Sequence, residues 1–112
     1  MVNPPYTPEA GDIVWLQFDP QAGREQRGHC PALVLSPAAY NSKTGLMLCC
    51  PITSQVKGYP FEVKVDAEGI SGAVLVDHLR SVDWRARNAE LRTHTGPDLL
   101  HAIRQKLDLL LP

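Results

Sequence analysis

Three short polar stretches hold most of the side chains able to do chemistry in this 112-residue chain. Arg24, Glu25, Gln26, Arg27 and His29 form the first, Thr53, Ser54, Gln55 and Lys57 the second, and Asp77, His78, Arg80, Arg85 and Arg87 the third. From Arg24 to Lys64 five cations face two carboxylates, a local net of +3, and from Arg80 to Arg92 the net is +2, although the whole chain carries −1. Positive charge gathered in this way draws a phosphate backbone onto one face while the remaining surface stays acidic. The plainer alternative is three solvated loops. No Cys-x-x-Cys occurs, and His29, His78, His94 and His101 have no ligand spacing, so no metal or other cofactor is expected.

The segments that must position these loops are short and punctuated by Pro and Gly, as in a compact β-rich fold. Ile13–Phe18 reads as a strand ended by Asp19-Pro20. Ala32–Leu35 and Leu46–Ile52 read as continuous apolar core strands, joined through a turn at Asn41–Gly45 with a short helical turn at Pro37–Tyr40. Phe61–Val65 alternates, with Phe61, Val63 and Val65 on one face and Glu62 and Lys64 on the other. Ala73–Val76 and Leu79–Trp84 complete the strands. From Thr95 the period becomes helical: Thr95 is placed to cap, Pro97 sits near the first position, and Leu99, Leu100, Ile103, Leu107, Leu110 and Leu111 recur on one side. The expected architecture is α+β and mostly β, a small barrel of five to seven strands with an amphipathic C-terminal helix packed on it or on a partner subunit.

Size and composition agree with one domain over residues 1–112. A chain with 44% hydrophobic and 21% charged residues buries on the order of 65% of its unfolded surface and needs no disulfide or metal staple. The overall charge excludes a generic basic nucleic-acid coat, so any such site is local. No apolar run approaches a membrane span, and the start MVNPPYTPEAGD has no basic-then-apolar leader, so a cytoplasmic, non-membrane protein is expected. Three cysteines cannot all pair within one chain, and Cys49 and Cys50 would leave a strand on opposite faces, which fits a reducing compartment.

The blocks GDIVWLQFDP (Gly11–Pro20), GREQRGHCPALVLSP (Gly23–Pro37), YNSKTG (Tyr40–Gly45), PITSQVKGYPFEV (Pro51–Val63) and DHLRSVDWRAR (Asp77–Arg87) follow one another in an order that resembles the MazF, or PemK-type, toxins. The resemblance runs from about Tyr6 to Leu111. It implies a barrel related to SH3-like folds and to CcdB, a homodimer, and an mRNA interferase: a sequence-specific, metal-independent endoribonuclease acting on single-stranded RNA and leaving a 2′,3′-cyclic phosphate and a 5′-hydroxyl. It also implies a MazE-type antitoxin, whose acidic disordered tail would fold over the positive rim. A CcdB-like gyrase poison, the other activity of this fold, resembles a mode relying on an aromatic near the C-terminus; this chain ends Leu109-Leu110-Leu111-Pro112.

Such a reaction needs a base for the ribose 2′-hydroxyl, a cation for the phosphorane and a proton for the departing 5′-oxygen. By resemblance, Glu25 falls on the family's loop glutamate and Thr53 on its catalytic threonine. The family's arginine before proline in Gly-His-Arg-Pro-Ala is replaced, because here the motif reads Gly28-His29-Cys30-Pro31-Ala32. A thiol has neither fixed charge nor bidentate donor. Loss of one such donor costs about 100-fold to 1000-fold in rate, so attenuated or absent cleavage is expected, the alternative being an inert module that binds antitoxin and supports repression of its own operon. Arg27 and His29 are candidates for rescue. The resemblance further assigns RNA contacts to Arg27, His29, Lys57, Asp77, His78, Arg80 and Arg87, with Lys57 and Arg80 on phosphates and Asp77 and His78 on base edges. Each residue has a structural alternative: Glu25 a solvated acid, Thr53 a turn hydroxyl, Cys30 a small buried residue, His29 a packed histidine and Trp84, in a dimer-forming stretch of the family, ordinary core.

Overall fold

The computed structural model describes residues 6–17 and 29–112. Its strands are β1 (Asp12–Gln17), β2 (His29–Val34), β3 (Leu46–Thr53), β4 (Glu62–Ala67), β5 (Ile70–Leu75), β6 (Arg80–Asp83) and β7 (Glu90–His94). Helix α1 (Ala38–Thr44) lies between β2 and β3, a single 3₁₀ turn spans Val76–His78, and α2 (Pro97–Leu110) follows β7. The strands form one curled, half-barrel antiparallel sheet in the order β4-β5-β3-β2-β1-β7, with β6 off this path beside β3.

The spine is β3. One edge pairs with β2 through Cys49, Cys50 and Pro51, whereas the other is divided: Leu46–Cys49 pair with β6, and Ile52 and Thr53 pair with β5. Alternation along the strands feeds two buried clusters. Ile13, Leu33, Cys50 and Ile52 meet Val65, Ile70, Val74, Val76 and Ile103 of α2, while Val14, Leu16, Ala32, Val34, Met47 and Cys49 meet Val82 and Trp84. Cys49 and Cys50 therefore do leave β3 on opposite faces, and all three cysteines are free thiols.

Several sequence expectations need correction. The sequence pattern does not predict β7, because Glu90–His94 has no apolar alternation and is mostly exposed; main-chain pairing with β1 makes it a strand. The expected turns at residues 37–45 are one helix, α1, begun by extended Pro37 and ended by Gly45 in the left-handed region (φ 75°). It is anchored by buried Asn41, whose Nδ2 donates to the carbonyls of Pro8 and Ser36 and whose Oδ1 accepts from the Ser36 hydroxyl. Thr95 does not cap α2: its hydroxyl donates to the Gly11 carbonyl, and Gly96 is the N-cap with Pro97 following. Along α2, Ile103 is buried and Leu99, Leu100 and Leu107 pack on the core, but Leu110 and Leu111 are exposed. β2 starts earlier than expected, at His29, with Pro31 placed before pairing to β3 begins, where a strand tolerates the loss of an N–H.

The chain preceding β1 is fixed by a buried carboxylate. Asp12 accepts from the Tyr6 hydroxyl and the Glu9 backbone N–H, and His94 Nδ1 of β7 lies 2.7 Å from its Oδ1.

Candidate nucleic-acid interface

Thr53, Lys57, Asp77 and His78, which are far apart in the chain, line one open cavity of ≈ 300 Å³ with Gln55, Tyr59, Glu62 and Leu75. Thr53 ends β3. Its hydroxyl accepts the Gln55 backbone N–H at 3.1 Å, and its carbonyl lies so close to Gly72 of β5 that a Cβ there would sit 2.0 Å from the oxygen. Only glycine fits at that contact. Asp77 and His78 belong to the 3₁₀ turn between β5 and β6, where the divided edge of β3 changes partner. The His78 ring is mostly exposed beside Asp77, with 4.0 Å between Nε2 and Oδ1.

The segment carrying Lys57 is held by β4. The Glu62 carboxylate accepts the backbone N–H groups of Lys57, Gly58 and Tyr59, at 2.9 Å for Gly58, which turns through φ 78°. This bridge fixes where the Lys57 ammonium leaves the backbone. Tyr59, half exposed and 6.1 Å from the Phe61 ring, offers an aromatic surface on which an unpaired base can stack.

A second, smaller cavity of ≈ 30 Å³ adjoins through β3, which lines it at Pro51 and the first cavity at Thr53. Leu16, Cys30, Ala32 and Cys49 form its apolar part, and Arg80 and Arg87 complete it. Strand register explains the grouping. Leu16 pairs with Cys30 across β1 and β2, and Cys49 pairs with Arg80 across β3 and β6, and directly paired residues share a face. Arg87 is brought in by the segment after β6: its carbonyl accepts the Gln17 N–H at 2.9 Å and its Nη1 lies 3.5 Å from the Gln17 carbonyl.

The thiols here are neutral. Burial pushes Cys30 up from its ordinary value, with Arg80 partly opposing, and pushes Cys49 up to about 11. Cys50, on the opposite face, is raised by burial to about 12. An uncharged, half-buried Cys30 does not supply the fixed cation that a phosphorane needs.

Of the residues singled out in the sequence, the fold thus gathers Thr53, Lys57, Asp77 and His78 in one cavity and Cys30, Arg80 and Arg87 in its neighbour. Glu25 and Arg27 lie outside the described residues, as does the His29 side chain. Trp84 is buried in its own chain, with Nε1 donating to the Asn41 carbonyl at 2.9 Å. Glu62, Gly72 and Tyr59 were missed. The signals were present: a carboxylate facing a Gly-containing loop, a glycine within a strand, and an aromatic in a polar stretch. Among the described residues no three His, Cys, Asp or Glu side chains are gathered as metal ligands, and no helix is long and apolar enough to cross a membrane.

Residues 9–111 match the family described as PemK-like, MazF-like toxin of type II toxin-antitoxin system. The chain is 47% identical over 106 residues to the endoribonuclease toxin MazF of Escherichia coli strain K12, covering 95% of this chain and 96% of that one. It is 32% identical over 108 residues to the E. coli endoribonuclease PemK, covering 92% and 81%. A MazE-MazF crystal structure from Deinococcus radiodurans superposes with a TM-score of 0.89 at 59% identity, over 96% of this chain and 97% of that one.

Proposed function

The chain belongs to the PemK-like, MazF-like toxin family of type II toxin-antitoxin systems, and on that footing we propose that it is a homodimeric, sequence-specific endoribonuclease toxin of attenuated activity, which cuts single-stranded RNA without a metal and is neutralised by a MazE-type antitoxin. The observation that carries this reading is the convergence of Thr53, Lys57, Asp77 and His78 on one open cavity beside the Cys30, Arg80 and Arg87 rim.

In the proposed reaction Glu25 takes the proton of the ribose 2′-hydroxyl, and the 2′-oxygen bonds to phosphorus as the bond to the 5′-oxygen breaks. The 5′-oxygen takes a proton from water, to which Glu25 later returns its own. The Thr53 hydroxyl donates to a phosphoryl oxygen, Lys57 and Arg80 pair with phosphates, and Asp77 and His78 meet base edges. Cys30, standing where the family resemblance places an arginine, leaves the developing charge short of one guanidinium. That neutral thiol also favours a second reading, an inert module retained for antitoxin binding. In either case Lys57, Arg80 and Arg87 suit an acidic partner segment, and three free thiols suit a reducing cytoplasm.

The test compares this protein with its Cys30→Arg variant on single-stranded RNA in the presence of EDTA. The variant should cut about 100-fold to 1000-fold faster. Equal rates would remove the attenuation, and no cleavage by either would remove the ribonuclease reading.

A further inference from the structure

Resting on that reading, we propose that Arg80, beyond pairing with a phosphate, replaces the guanidinium missing at residue 30 and carries the residual cleavage by meeting the charge that develops on the phosphorane. The two residues come from strands that are not paired with each other, yet both line the same small cavity. The register directs Arg80 there: it is the cross-strand partner of Cys49, so it continues the row that begins with Val82 opposite Met47, on the face of Ala32 and Cys49. Its charge is the first to act on the Cys30 thiol after burial. Arg87 closes the same cavity but is tied to Gln17, whereas among the described residues no carboxylate forms an ion pair with Arg80.

Arg80 is also accessible to a bound strand, because its side chain is exposed at the start of the short β6. The step needs no further reagent. The 2′-oxygen bonds to phosphorus, the 5′-oxygen leaves, Glu25 and water handle the protons as above, and Arg80 keeps all of its own. A planar guanidinium suits two phosphoryl oxygens at once, which an ammonium does not.

The experiment measures single-turnover cleavage of single-stranded RNA with EDTA for Arg80→Ala and Arg80→Lys, each in the native and in the Cys30→Arg background. Binding of an uncleavable strand with 2′-deoxyribose at the scissile position is measured alongside. In the native background Arg80→Ala should lose about 100-fold in rate and Arg80→Lys about 10-fold or more, while with Cys30→Arg both losses should shrink to about 3-fold. Affinity for the uncleavable strand should fall by about the same few-fold factor in both backgrounds. Equal rate losses in the two backgrounds would overturn the proposal and leave Arg80 a phosphate contact. Cleavage by Cys30→Arg with none by the native protein would overturn it too while sparing the ribonuclease reading. If neither background cuts, both fall together.

Discussion

Glu62 and Lys57 are joined backbone to side chain: both carboxylate oxygens of Glu62 lie 3.2 Å from the Lys57 amide nitrogen, and Oε1 also takes the N–H groups of Gly58 and Tyr59. The loop that presents a cation to the cavity is therefore shaped by an anion on the strand behind it.

Glu62→Ala should release this loop at little cost to the core. About 1 kcal/mol of stability is expected to go, with RNA affinity falling by roughly 5-fold to 10-fold as Lys57 loses its fixed origin. Thermal melting and fluorescence anisotropy with a labelled strand would show it. A large drop in melting temperature with unchanged affinity would mean that Glu62 serves the fold instead.

Gly72→Ala tests the main-chain contact that supports Thr53. Its methyl would stand 2.0 Å from the Thr53 carbonyl oxygen, inside any van der Waals contact, so β3 and β5 must separate there. A destabilisation of about 2–4 kcal/mol is expected, together with a fall in cleavage greater than that of Gly96→Ser, since nothing lies within 4 Å of a Cβ at Gly96 and its φ is −77°. Matching losses for the two variants would show that Thr53 tolerates displacement.

Lys57 and Asp77 should fail in different ways. Lys57→Ala is expected to weaken every RNA sequence alike and to lower the salt dependence by about one phosphate contact. Asp77→Ala should instead change which sequence is preferred, a difference readable from cleavage-site mapping of a mixed transcript with a Cys30→Arg enzyme.

The buried thiols set a limit at alkaline pH. The ordinary thiol value is 9.0, and the folded chain holds Cys49 to about 11 and Cys50 to about 12. Folding favours the protonated form, so their contribution is complete below about pH 9 and declines as pH rises toward the folded values. The melting temperature should hold from pH 7 to 9 and then fall, and it should fall less steeply in a Cys49→Ala, Cys50→Ala variant. Identical slopes would assign the alkaline loss to other groups. At neutral pH iodoacetamide should label Cys30 slowly and spare Cys49 and Cys50 until the protein is unfolded.

The sequence makes legible those parts of the fold in which apolar residues alternate or recur on their own. The core strands, the C-terminal helix and the opposite facing of Cys49 and Cys50 are of this kind. β7 was hidden because its place depends on hydrogen bonds to β1 and leaves its side chains mostly exposed. Asn41 was hidden because its partners, Pro8, Ser36 and Trp84, are distant or unremarkable as types. The site divides in the same way. Residue types marked three polar loops and the family resemblance singled out Thr53, Lys57, Asp77 and His78 within them, but the meeting of Cys30 with Arg80 follows from how β3 shares its edges, and the role of Glu62 from the direction of one carboxylate. Local pattern carries neither.

The contact between Gly72 and Thr53 has one more consequence. Beneath the threonine stands bare main chain, which substitutions cannot reshape without parting two strands, whereas the neighbouring cavity is furnished by exchangeable side chains from β2 and β6. Strength of cleavage can thus be raised or lowered next door without disturbing the anvil under the threonine, and residue 30 stands on the adjustable side.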